Sequence, residues 1–298
     1  MKDEMNDTNF IMSAKIDFAF KLVFGDENNK DILIALLSAV LELPRSNFKG
    51  IELINTELYR LFESDKKGIL DVRVKTADGK QIDIEIQISE SKYMPERSLY
   101  YWSKMYNSQI KKNDLHSALK KCITINILDY KFLPINQIHT QYHLLEDHTG
   151  YKLTDVIEIH FIELRKLEDI EKLEDRNDPA LDWIKFINAD TEGEMEVLAE
   201  KNENIRKAYR VLKEASMDEK KRMAYESRQA ALMDERTRLQ ESLEEGIEIG
   251  IEKGIEKGIE KGKLETALKM CKAGFEVEII SSMTEIPVDI LKEKLNVK

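Results

Sequence analysis

Cysteine is scarce in this chain. Cys122 and Cys271 stand alone and far apart, which excludes a disulfide framework and paired-cysteine zinc spacing and suits a reducing cytoplasm. Long apolar runs are missing too. The longest, ILIALLSAVLEL at 32–43, is too short to span a bilayer. The opening MKDEMNDTNF is polar and has no leader-like apolar stretch. Positive charge is in deficit, with 46 Lys and Arg against 57 Asp and Glu, a net charge of −11 and a pI near 5.2. That excludes a surface that coats nucleic acid without specificity. It does not exclude an enzyme that works on nucleic acid, because a local patch and a bound cation can do the attracting.

What is present fits one sizeable core with appended helices, or two modest domains. Residues 29–43 have helical apolar spacing and stop at Pro44. Residues 69–75 and 81–88 alternate with period two around Ala-Asp-Gly, the mark of a hairpin. Residues 97–112 read as a helix with an aromatic face, and 121–128 and 155–164 as strands. This order predicts a mixed α/β domain over 10–165. Beyond 166 aromatics thin out and Glu, Lys, Arg, Asp and Ala dominate. A helical region is expected over 166–245, a repeat over 246–263, and a small helical module over 264–298.

The hairpin carries the chemistry. A three-residue loop Ala77-Asp78-Gly79, with Gly79 left-handed, pairs Val74 with Ile82, Val72 with Ile84 and Leu70 with Ile86. On the other face Arg73 then meets Asp83, and Asp71 meets Glu85. Opposed carboxylates are destabilising unless something sits between them. A hard divalent cation such as Mg²⁺ suits that place. Gln87 points to the same face, where it can orient a water or touch a phosphate. A five-residue loop keeps the same parity and instead pairs Arg73 with Glu85 and Lys75 with Asp83, ordinary cross-strand ion pairs. The pattern alone admits both.

Several stretches together carry a resemblance: DFAFKLVFG (17–25), ILDVRV (69–74), IDIEIQ (82–87), ERSLYYWSKMYNSQI (96–110), ITINIL (123–128), EIHFIEL (158–164) and WIKFINA (183–189). The chain resembles the Rpn-type recombination-promoting nucleases of the PD-(D/E)xK nuclease family transposases, over nearly its whole length. The resemblance implies a restriction-endonuclease-like mixed sheet flanked by helices, followed by a long helical C-terminal extension. It implies an enzyme, an endonuclease that hydrolyses DNA phosphodiesters with Mg²⁺ or Mn²⁺ and leaves a 5′-phosphate, linked to recombination or mobile elements. Carried over, Asp71 and Glu85 hold the metal. Gln87 stands where the broader superfamily has lysine. Lys21 is a candidate for the missing cation and Asp17 for a further metal or water ligand; the alternative is an i, i+4 ion pair between them. Arg97, Tyr101 and Lys104 share one helix face and suit contact with DNA. A nuclease-derived DNA- or protein-interaction module that does not cut is the competing reading, motivated by Gln87 and the acidic surface.

Two features remain. His139, His143 and His148 have near-helical spacing, but no helix pattern supports a zinc pair there. In GIEIGIEKGIEKGIEKG (246–262), glycine recurs at 246, 250, 254, 258 and 262, and isoleucine at 247, 251, 255 and 259. A period of four drifts about 40° per repeat on a helix. Each glycine costs roughly 1 kcal/mol against alanine. The repeat reads as a homo-oligomerisation helix, or else a semi-flexible linker. The last 35 residues faintly resemble a helix-turn-helix, but EVEIISSMTEI is too acidic for a DNA groove.

Overall fold

The computed structural model describes residues 10–54, 71–172, 174 and 177–295. The chain divides into two compact units, Met1–Ala231 and Leu232–Lys298. The strand pairing of Leu70 lies outside the described residues.

In the first unit, α1 (Asp17–Phe24) and α2 (Lys30–Val40) precede β1 (Glu52–Leu53), β2 (Val72–Lys75) and β3 (Gln81–Gln87). Then come α3 (Met94–Asn107), β4 (Cys122–Leu128), β5 (His139–Tyr142) and β6 (Ile157–Glu163). The six strands form one mixed sheet in the order β1-β2-β3-β4-β6-β5. β3–β4 and β4–β6 are parallel and the other pairs antiparallel. The helices α4 (Leu181–Asn188), α5 (Glu192–Lys201) and α6 (Glu203–Met217) follow, and then α7 (Glu219–Lys272).

Strand alternation sorts the sheet into two faces. Ile82, Ile84 and Ile86 of β3 and Ile123, Ile125 and Ile127 of β4 share one apolar core with Phe20, Val23 and Phe24 of α1 and with Leu33, Leu36 and Leu37 of α2. Trp183 and Ile184 of α4, Met195 of α5 and Leu212 of α6 belong to the same core. The compositional change near 166 therefore does not mark the end of the core. α5 and α6 look polar in sequence because each buries only one stripe.

The other face is covered by α3, with an apolar cluster of Met94, Leu128, Tyr130, Ile159 and Phe161 and with polar contacts beside it. Asn126 Nδ2 donates to Ser98 Oγ at 3.0 Å, and Ser98 and Thr124 share a hydrogen bond at 3.1 Å. The Trp102 indole N–H donates to the Cys122 carbonyl at 3.0 Å.

In the second unit the end of α7 packs with α8 (Val277–Thr284) and α9 (Val288–Leu295) around Ala267, Ile280 and Leu291. Gly274, at φ 86°, turns the chain out of α7. No described helix is long and apolar enough to cross a membrane.

Candidate active site

The hairpin turn sets the site. Thr76 N donates to the Lys80 carbonyl and Gly79 N to the Thr76 carbonyl, both at 2.9 Å, and Gly79 has φ 89°. This is the three-residue loop with a left-handed glycine. The register follows: Val74 opposite Ile82, Arg73 opposite Asp83, Val72 opposite Ile84. The alternative with a five-residue loop is not adopted.

Asp71, one residue before β2, comes level with Glu85, and the two interlock. The Asp71 N–H donates to Glu85 Oε1 at 3.1 Å, and Asp71 Oδ2 accepts from the Ile86 N–H at 2.9 Å. Lys21 reaches across from α1 to within 2.9 Å of Asp71 Oδ1. Arg97 approaches from α3, 3.6 Å from Glu85 Oε2. Lys21 and Arg97 are the partly solvent-exposed members, while Glu85 is buried.

Electrostatics mark the same spot. Burial, and then the neighbouring Asp71 charge, push the Glu85 carboxyl up to about 8, against the partial relief of Arg97 and Lys21. Asp83, fully buried two residues earlier on the same face, is raised well above the carboxylate range by burial and by Glu85 and Asp71. Its Oδ1 has no hydrogen-bond partner among the described residues. Three carboxyl groups thus crowd a buried patch. Perturbed titration caused by burial and specific charges is a mark of functional sites.

The other expected residues fall as follows. Gln87 is half-buried at the end of β3, on the face of Glu85, and its carbonyl accepts from Asp129 N at 2.9 Å. Arg97 lies over the Tyr101 ring at 5.5 Å, and Lys104 over the Tyr100 ring at 5.2 Å. Asp17 does not pair with Lys21; its Oδ1 accepts from Arg228 Nε of α7 at 2.7 Å. Asp17 is thereby engaged away from Asp71 and Glu85.

A second polar cluster occupies the opposite face, since Glu158 and His160 pair with Ile123 and Ile125. It is a hydrogen-bonded chain. His139 joins Asp178 at 2.7 Å and His160 at 2.8 Å, and His160 joins Glu158 at 2.9 Å. Glu158 also meets His143 at 3.1 Å and Lys121 at 2.6 Å. His139 and His143 therefore face different partners and form no zinc pair. His143, Asp155 and Glu158 could geometrically surround a metal. The Lys121 ammonium already bridges both carboxylates, at 3.0 Å from Asp155 and 2.6 Å from Glu158. Although burial opposes it, hydrogen bonds from His160 and Lys121 hold the Glu158 carboxyl below its usual range. That cluster behaves as a satisfied ion-pair network.

Sequence reasoning placed Asp83 on this face only as a partner of Arg73, and it missed Ser98, Thr124 and Asn126 around the site. The period-two alternation of IDIEIQ did put Asp83 beside Glu85. What it could not show was that α3 covers this face.

Comparison with known proteins adds one finding. Residues 14–242 match the family model described as PD-(D/E)XK nuclease family transposase, a span that contains every residue of the hairpin cluster. No curated protein and no solved structure gives a significant match.

Proposed function

Because this chain belongs to the PD-(D/E)XK nuclease family transposases, we propose that it is a DNA endonuclease that hydrolyses phosphodiesters with Mg²⁺ or Mn²⁺ at the Asp71–Glu85 cluster. The observation that carries the reading is the interlocked pair, Asp71 N–H on Glu85 Oε1 and Ile86 N–H on Asp71 Oδ2. It fixes two carboxylates side by side, with only partial relief from the Arg97 and Lys21 charges. Such a donor set fits a hard divalent cation, which takes carboxylate oxygens together with waters and phosphate oxygens. Asp83 adds a third buried carboxyl, whose Oδ1 has no hydrogen-bond partner among the described residues.

In this proposal Asp71 and Glu85 are the ligands. Asp17 is left out because Arg228 engages its carboxylate. When bound, the cation supplies Lewis acidity at the phosphoryl oxygen and lowers the pKa of a water. The protein's own groups do the rest. Lys21 and Arg97 stand beside the carboxylates, placed to take up charge that develops on the phosphoryl oxygens. Gln87 has an amide that can hold the attacking water by hydrogen bond but cannot carry charge. Arg97, Tyr101 and Lys104 offer cations and an aromatic face to the DNA backbone. Water attacks phosphorus, the P–O3′ bond breaks, and the products are a 5′-phosphate and a 3′-hydroxyl. The reading extends to recombination or mobile-element DNA as the setting.

Supercoiled plasmid incubated with Mg²⁺, Mn²⁺ or EDTA tests it, with wild type beside Asp71→Asn and Asp71→Ala. Nicking should need the metal and fall by roughly 100-fold or more in both variants. Wild-type protein that binds DNA but never cuts it would move the reading to the non-cutting interaction module.

A further inference from the structure

Within the second unit α7 presents an apolar row that no described residue covers. Leu239, Leu243, Ile247, Ile251, Ile255 and Ile259 recur every four residues, and each is between 52 and 63% exposed. Such a continuous exposed apolar strip marks an interaction surface. Beside it runs a column of glycines. No described heavy atom lies within 4 Å of where a Cβ would stand at Gly246, Gly250, Gly254 or Gly258. Nothing described in the chain's own packing therefore explains these glycines.

We propose that this row packs against the same row of a second copy of this chain, antiparallel, about a two-fold axis level with Ile249. Centred there, the row maps onto itself: Leu239 comes level with Ile259 of the partner subunit, Leu243 with Ile255 of the partner subunit, and Ile247 with Ile251 of the partner subunit. Charge chooses the direction. Residues 235–248 carry five glutamates and two arginines, a net −3, while residues 250–263 carry four lysines and three glutamates, a net +1. A parallel pair sets −3 against −3 and +1 against +1. The antiparallel pair sets opposite signs level with each other: Arg238 with Glu260, Glu241 with Lys257, Glu245 with Lys253, while Lys263, level with Glu235, is already paired with Glu285 of its own chain. Helices packed about 8–10 Å apart stand about one Debye length from one another at physiological salt, so these sums are felt in part and more strongly at low salt.

The four-residue period also specifies the crossing. It exceeds 3.6, so the row winds round the helix in the right-handed sense and its partner follows in that sense. Rows of i, i+4 side chains interdigitate as ridges in grooves. The glycine column supplies the groove, since small residues let two backbones approach. The pairing is independent of whether the hairpin cluster cuts DNA.

The test uses the full chain. Light scattering should give a mass near twice the 34.7 kDa of one chain. Ile251→Glu with Ile255→Glu should give the mass of one chain with unchanged helicity, because both side chains are exposed in the single subunit. Orientation is read in a Cys271→Ser background from Leu239→Cys and Ile259→Cys. Under oxidation neither variant alone should cross-link, while the two co-expressed should give a disulfide-linked dimer. A wild-type mass of one chain, or of more than two, overturns the pairing, as does a dimer that survives the double glutamate variant. Cross-linking of each single-cysteine variant with itself overturns the antiparallel direction.

Discussion

Burial beside Asp71 raises the Glu85 carboxyl to about 8, which favours its protonated form at neutral pH. The consequence for stability has a definite sign. The unfolded chain loses this proton near 4.5, whereas the folded chain keeps it until about 8. Between those values the folded state binds more protons, so Glu85 costs stability as pH rises, by at most about 1.4 kcal/mol per pH unit. Glu85→Gln removes the titration. Urea unfolding of both proteins in EDTA at pH 5, 6.5 and 8 should show the variant gaining on wild type as pH increases. Saturating Mg²⁺ should then stabilise wild type and close the gap, since a cation on the carboxylates relieves the repulsion from Asp71, and the variant should respond little. A gap that stays flat with pH would show that Glu85 is not held protonated. A gap that opens with pH but ignores Mg²⁺ would count against a cation site there.

At the scale of the element, the β2–β3 turn is what brings Asp71 level with Glu85. Gly79 holds φ 89°, and a Cβ there would meet Lys120 Cγ at 3.2 Å. Gly79→Ala should therefore cost about 1–2 kcal/mol, read by chemical denaturation. A one-residue insertion in the loop should be worse for function than for stability, because a slip of one reverses which face each side chain takes. The hairpin was legible in the sequence, since period-two apolar spacing around Asp-Gly has few other readings. Its register was legible only to two choices of equal parity, and the conformation at Gly79 decides between them. The surroundings were not legible. Ser98 reads as one polar position on a helix and Thr124 and Asn126 as polar positions of the strand 121–128, yet α3 and β4 bury the three together and they hydrogen-bond to one another. His160 sits inside the apolar-looking EIHFIEL because it bonds to His139, which Asp178 engages in turn, and both come from distant parts of the chain. Asp17 and Lys21 are spaced for a pair within one helix turn, and tertiary partners, Arg228 and Asp71, take both.

For the first unit as a whole, the question is where the chain can be cut without losing the site. Composition suggests residue 165, but packing places the limit much later. Met12 N donates to Ser216 Oγ at 2.9 Å and Ser13 N to the Tyr225 hydroxyl at 3.0 Å, so the entry to α1 is tied to α6 and α7. Lys21, one turn into that helix, is what reaches Asp71. Trp183, Ile184, Phe186, Ile187, Met195 and Leu212 are buried in the shared core. At roughly 1.5–3 kcal/mol for each buried large side chain, losing these six removes about 9 kcal/mol or more. The whole stability of an ordinary domain is about 5–15 kcal/mol, so the loss is comparable to everything holding the unit together. A chain ending at residue 165 should accordingly show no cooperative thermal transition by circular dichroism and should bind a hydrophobic dye. A chain ending at residue 242, where the family match stops, should melt cooperatively and keep the metal-dependent activity proposed for the hairpin. It would lack most of the apolar row of α7, so it should also run as a single chain. If the 242-residue chain cuts DNA as a monomer, the chemistry resides wholly in the first unit. If it folds and binds DNA but cannot cut, the proposed pairing through α7 supplies something that the cluster needs.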